Sequence, residues 1–283
     1  MQTGFLKQFA VALALAGAAC AAQAHRQWMI PHASMVEGEA GREAWVTIDG
    51  AVSEQLFVAD FMPLRLDGLT VTGPDGATLP APAAILGKHR STVDIPLPKD
   101  GTYRITLATS SVMGSYKLNG ETKRFRATEQ TAKDQVPAGA LEVKTSVTRQ
   151  RQDTFVTLNK PSSGALKPLG AGLEMVPLTS PTELHAGEKM RLRFLLNGQP
   201  LANFPFSMIP GGVKYRGTLG EVRFSTDAKG EASVTLPAPN LYWLSASYPA
   251  RPAGAAEHPA GEHDAPPEGA RFTYSATLDV LPE

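Results

Sequence analysis

Cysteine is almost missing from this chain: the single one in 283 residues is Cys20, inside an apolar stretch near the start. If that stretch is removed on export, the remaining protein has no thiol, which excludes disulfides, cysteine nucleophiles and thiolate metal ligands. A surplus of either charge is missing too, since 27 Lys and Arg balance 27 Asp and Glu. A balanced chain has no broad basic field, so nucleic acid is not an expected partner. After the opening stretch no run is long and apolar enough for a transmembrane helix, so the mature chain is expected to lack one. Helical periodicity is scarce. No serine, histidine and acid surround a recognisable nucleophile turn, and no Gly-rich phosphate loop precedes a helix; Ile209-Pro-Gly-Gly212 reads as a turn between strands. These absences remove the commonest hydrolase and nucleotide sites, and the chain is not expected to be an enzyme.

What is present begins with an export signal. Lys7 precedes the short apolar run Ala10–Ala19, and small residues at Ala22 and Ala24 give an A-x-A cleavage pattern. Residues 1–24 therefore read as a signal peptide cut between Ala24 and His25, placing the soluble product in the periplasm. A rival cut that would lipidate Cys20 lacks the large aliphatic residue expected three places earlier, where Gly17 stands. The mature chain would begin His25-Arg26-Gln27-Trp28. A terminal histidine offers an amine, once that group of pKa about 8 loses its proton, and an imidazole to the same metal ion.

The rest of the sequence reads as β-structure. Alternating segments at 43–48, 68–72, 91–95, 102–107 and 141–158 have the pattern of half-buried strands, separated by Gly73-Pro74-Asp75-Gly76 and Pro98-Lys99-Asp100-Gly101 turns. One short helix is expected over Ala127–Gln135. A second set of strands follows at 173–178, 189–196, 221–225, 232–236, 242–248 and 272–280, with Asn197-Gly198 as a hairpin signal. The expected fold is all-β: two immunoglobulin-like or carboxypeptidase-regulatory-like antiparallel β-sandwich domains in tandem. The first spans 25–160, a Pro, Gly and Ser-rich linker spans 161–172, and the second spans 173–283. The last two strands should pair across an insertion at 249–269, whose composition favours a flexible segment.

Six histidines are the main candidates for chemistry. His25 leads. His89, in the polar loop Gly87-Lys88-His89-Arg90, is the best internal candidate for a third ligand, with an ordinary surface histidine as the alternative. His258 and His263 stand among Glu257, Glu262 and Asp264 in the insertion and are weaker candidates; a solvated linker with incidental histidines is the plainer reading. His32 reaches the terminal site only if the chain folds back, and His185 belongs to the second domain. Met29, Met35 and Met62 lack the dense spacing of a copper-collecting segment and read mainly as core.

The opening Ala24-His25-Arg-Gln-Trp28-Met-Ile-Pro31, with Gly172-Leu-Glu-Met-Val-Pro-Leu178, Leu184-His-Ala-Gly187 and Thr226-Asp-Ala-Lys-Gly230, resembles a family of exported proteins of unknown function grouped with the substrate-specific component of nickel uptake systems. The resemblance implies an extracytoplasmic β-rich protein that handles a divalent metal, nickel or cobalt, with His25 as the residue that carries over as a ligand. The expectation is a periplasmic accessory that binds nickel, cobalt or copper and delivers it to a membrane metal transporter or receptor component. Two alternatives stay open. One is a copper oxidase of histidine-brace type, with Tyr103 or Tyr116 as an axial aromatic; the other is a non-catalytic interaction module.

Overall fold

The computed structural model describes residues 25–39, 41–80, 82–250 and 269–283. The predicted signal peptide and most of the insertion, including His258 and His263, lie outside the described residues. The architecture is all-β and built from β-sandwich layers: an eleven-stranded sheet lies between a five-stranded and a four-stranded one. Among the described residues no helix is long and apolar enough to cross a membrane.

The large sheet joins the two halves of the chain. Gly101–Leu118 and Leu141–Leu158, each 18 residues, pair antiparallel along most of their length. The far edge of Leu141–Leu158 pairs parallel with the closing strand Gly269–Leu281. That strand in turn pairs antiparallel with Asn240–Tyr248, from Asn240 opposite Val280 to Tyr248 opposite Phe272, as expected for strands flanking the insertion.

Because successive side chains of a strand point to opposite faces, one strand can supply two cores. Phe155 enters the C-terminal core with Leu173, Phe194, Met208, Leu244 and Tyr274, under the four-stranded sheet. Its neighbour Val156 enters the N-terminal core with Ile48, Val71, Ile95, Tyr103 and Ile105, under the five-stranded sheet. Each such fully buried apolar side chain contributes about 1.5–3 kcal/mol. The two sandwiches are thus placed on opposite faces of a common sheet. A third cluster, Trp28, Ala51, Leu56, Ile209, Val213 and Trp243, fastens the first strand and its neighbour to the C-terminal half.

The Pro, Gly and Ser-rich seam is closely packed. A single 3-10 turn, Gly164–Leu166, buries Ala165. A Cβ on Gly164 would lie 2.0 Å from the Pro74 carbonyl oxygen, so that approach requires glycine. Beyond it, the backbone N–H groups of Leu169 and Gly170 donate to the buried Glu174 carboxylate at 2.7 and 2.9 Å.

Buried charge also ties the halves together. Asp153 accepts hydrogen bonds from Thr106 at 2.6 Å and Tyr274 at 2.9 Å, one on each flanking strand. Burial pushes its carboxyl above the usual range, against the opposing pull of Arg104, Thr106, Arg151 and Tyr274. Arg104 lies fully buried beside it and donates to the Lys167 carbonyl at 3.3 Å.

Two local expectations change. The stretch Ala127–Gln135 is not a helix: Ala127 ends the strand Glu121–Ala127, and only Lys133–Gln135 forms a 3-10 turn. Thr128 and Thr131 bond each other and nearby backbone N–H groups, a local alternative to helical bonding. Nine residues, seven of them polar and only Ala127 and Ala132 apolar, also fall below the length at which a helix sustains itself. The second change is after Ile209, where the strand Pro205–Pro210 passes through Gly211 and Gly212 into the short helix Val213–Arg216. Gly212 takes a φ of 79°, which glycine adopts at little cost.

Candidate metal-binding site at His25

His25 immediately precedes the strand Arg26–Pro31, which pairs antiparallel with Trp45–Ser53 from Arg26 opposite Ser53 to Pro31 opposite Ile48. Four side-chain hydrogen bonds hold the start of this strand. The Trp28 indole donates to Ser53 Oγ at 2.8 Å, and Ser53 donates onward to the Gln55 carbonyl at 2.7 Å. The Trp243 indole donates to the Gln27 carbonyl at 3.0 Å. The Gln150 and Gln152 side-chain amides both donate to Gln27 Oε1, at 2.9 and 2.8 Å. Trp28, 3% exposed, thus anchors a strand whose preceding residue remains accessible.

The pairing register carries the chain beyond Ser53 to Glu54, across from His25. His25 Nε2 and Glu54 Oε1 lie 3.6 Å apart, a contact longer than a hydrogen bond. The His25 imidazole stacks on the Phe61 ring with centroids 3.9 Å apart and planes inclined by 25°. Phe61 precedes the two-residue strand Met62–Pro63, which pairs with Ala51 and Val52, so the same neighbouring strand places both Glu54 and Phe61.

His89 is attached to the same aromatic residue. Its Nδ1 is 3.2 Å from the Phe61 carbonyl oxygen, in the turn between strands Ile85–Leu86 and Ser91–Pro96. A carbonyl can only accept, so Nδ1 is the donor in this contact, and in the neutral ring the lone pair then sits on Nε2. A histidine that donates one ring N–H to a backbone carbonyl while presenting the other nitrogen is in the arrangement common among metal-bound imidazoles. Phe61 therefore links the two candidates, one through its ring and the other through its carbonyl.

The other residues lie elsewhere. The extended strand Arg26–Pro31 carries His32 about 23 Å along the sheet from His25. There His32 Nε2 lies 3.2 Å from Asp49 Oδ2, with Arg90 at 3.3 Å from the same oxygen. Burial alone would raise the Asp49 carboxyl, but hydrogen bonds from Thr92 and His32 and the Arg90 charge hold it below the usual range. His185 accompanies the chain end, its Nδ1 2.7 Å from the Pro282 carbonyl. Met29 is core; Met35 pairs opposite Thr157; Met62 is exposed beside Phe61.

Neither tyrosine considered for an axial position serves the site. Tyr103 lies in the N-terminal core and donates to the Lys99 carbonyl at 2.6 Å, while Tyr116 packs against Phe125 on the outer part of the long strand. Glu54 and Phe61 were not marked out by sequence pattern. Recognising Arg26–Pro31 as a strand paired with Trp45–Ser53 would have pointed to Glu54, but nothing local identifies Phe61 as the residue under His25.

Among the described residues no three histidine, cysteine, aspartate or glutamate side chains cluster closely enough to hold a metal ion. The described side chains alone thus do not complete a site at His25. In the uncleaved chain the His25 nitrogen is an amide with no basic lone pair. Cleavage after Ala24 would convert it to an amine, adding a donor on the same residue. His25 would then offer two nitrogen donors, its amine and its imidazole, of the kind suited to nickel, copper, cobalt or zinc.

A search among curated proteins returns no match. A solved four-domain ectodomain fragment of ICAM-5 aligns with 91% of this chain at 12% identity and a TM-score of 0.20; the chain spans about half, 51%, of that fragment. The D0-D1 domain of intimin aligns with 89% of the chain, over 97% of its own length, at 11% identity and a TM-score of 0.20. These overlaps add nothing to the sheet topology above. A family model does match, over residues 22–250, which include His25, Glu54, Phe61 and His89, and the chain belongs to that family, the domain of unknown function DUF4198.

Proposed function

We propose that this protein is a non-catalytic, periplasmic metal carrier. It binds one divalent transition metal ion through the amine and imidazole of a terminal His25, with His89 as the internal ligand, and delivers it to a membrane uptake system. The observation that carries this reading is the arrangement at Phe61, whose ring supports the His25 imidazole while its carbonyl fixes the His89 tautomer with Nε2 available. Nitrogen donors without thiolate suit nickel, cobalt or copper(II), and the resemblance to nickel uptake components favours nickel or cobalt as cargo. His258 and His263, beside acidic residues, are secondary collecting ligands in this scheme.

A terminal chelate closed by one further histidine also permits release. Binding requires deprotonated ligands, so acidification weakens it, and an accessible edge site can be reached by a receiving protein. The histidine-brace oxidase reading gains no support from Tyr103 or Tyr116, both engaged away from His25.

The test is native mass spectrometry of the exported protein. The account predicts a mass beginning at His25 and one bound metal ion after exposure to nickel or copper. Binding should be lost in His25→Ala and weakened at least about 10-fold in His89→Ala, as expected for loss of a ligand. A different N-terminus, or equal loading of His25→Ala, would contradict it.

A further inference from the structure

The contact between His25 and Glu54 has two chemically distinct interpretations, and ring geometry decides between them. Resting on the terminal-chelate reading above, we propose that Glu54 is a positioning residue that supports metal binding without touching the metal. The amine and the imidazole of one histidine close a six-membered ring with a metal only through Nδ1. Nε2 lies across the imidazole and cannot join the amine in that chelate. Glu54 approaches Nε2, at 3.6 Å, and so faces the side of the ring opposite the chelating pair.

In this arrangement the carboxylate attracts the Nε2–H, which places the lone pair on Nδ1. It also stabilises the positive charge that the ring acquires when Nδ1 donates to a cation. Closing the contact to a charge-assisted hydrogen bond of about 2.8 Å requires a movement of less than about 1 Å. Phe61 restricts the ring from one face, so rotation that would turn Nδ1 toward Glu54 must break the stack. His89 is held in the same manner, its Nδ1–H directed to the Phe61 carbonyl. Both imidazoles therefore have an outer partner on the nitrogen that does not bind metal, a carboxylate for one and a carbonyl for the other.

The competing arrangement puts the metal between His25 Nε2 and Glu54, making the carboxylate a ligand and leaving the amine unused. The two differ in donor atoms. Copper(II) serves as the probe, because its electron paramagnetic resonance spectrum reports equatorial nitrogen and oxygen ligands, and the protein used begins at His25 as verified by mass.

Glu54→Gln and Glu54→Ala are compared with wild type by titration and by spectrum, with thermal melting as a control for folding. Glu54 is about half exposed, so neither change opens the core. Affinity is expected to fall about 10- to 100-fold in Glu54→Ala and by less in Glu54→Gln, whose amide oxygen still accepts the Nε2–H. The nitrogen pattern should be the same in all three proteins. Unchanged affinity in both variants would overturn the proposal, as would replacement of an equatorial oxygen signal, which would make Glu54 a ligand. Absence of binding by wild type would refute the terminal-chelate reading itself and this inference with it.

Discussion

Replacing Phe155 with alanine perturbs the junction on which the whole fold depends. The side chain is 3% exposed and lies in the C-terminal core, while Val156, at 0%, projects from the opposite face into the N-terminal core. Truncating a buried phenylalanine removes its transfer free energy and leaves a cavity, together about 3–5 kcal/mol. For a chain of this size each kcal/mol lowers the melting temperature by about 2–4 °C, so a decrease of about 6–20 °C is expected. Because one strand serves both cores, the loss should not remain in the C-terminal half. Differential scanning calorimetry should show one transition in wild type and one, shifted downward, in Phe155→Ala. Val156→Ala removes two methyl groups and should shift the same single transition by about 2–3 kcal/mol. Two separate transitions, each variant moving a different one, would refute the reasoning and leave two sandwiches that merely touch.

Further expectations concern the first strand and the polar cluster at its other end. Trp243→Phe removes the hydrogen bond to the Gln27 carbonyl and leaves that oxygen without its indole donor, at a cost of about 1–3 kcal/mol. Hydrogen exchange should accelerate across residues 26–31 more than across 141–158, and uniform acceleration would mean that the indole does not hold the strand specifically. Asp49→Asn tests the His32 and Arg90 contacts. Since the native carboxyl is held below its ordinary value, its contribution is present above the unfolded value near pH 3.9 and is lost as pH falls through the lower native value. The variant should be about 1–2 kcal/mol less stable at neutral pH, with the difference shrinking on acidification below about pH 4. A difference that grows toward acid would reverse the sign of the assigned shift.

Much of the strand pattern was legible because core-facing residues alternate with polar ones. Leu141–Leu158 and Lys189–Leu196 have the bounds their patterns predict, and Asn197-Gly198 takes positive φ values of 50° and 77° in the turn between paired strands. The outer half of Gly101–Leu118 was not legible, because Ala108–Leu118 presents largely polar or exposed residues and is held by pairing on both edges rather than by a core face. The sharing of one sheet was hidden for another reason. Consecutive Phe155 and Val156 signal burial on both faces, but no local pattern states that the partner strand is Gly269–Leu281 in parallel. At the site, His25 and His89 were recognisable as metal-competent residue types. Their relation through Phe61 was not, since it depends on a strand register and a backbone carbonyl, neither of which leaves a mark in residue identity.

The central claim is that the metal is held by the amine of His25, and isothermal titration of two otherwise identical proteins tests it most directly. One begins at His25 with a free amine and the other carries an acetyl group on that nitrogen, which converts the amine to an amide without changing any side chain. Nickel and copper should bind the first with one-to-one stoichiometry, and the acetylated protein should lose that binding. Equal affinity in the two proteins would contradict the account, because a site indifferent to the terminal amine cannot be the chelate proposed here.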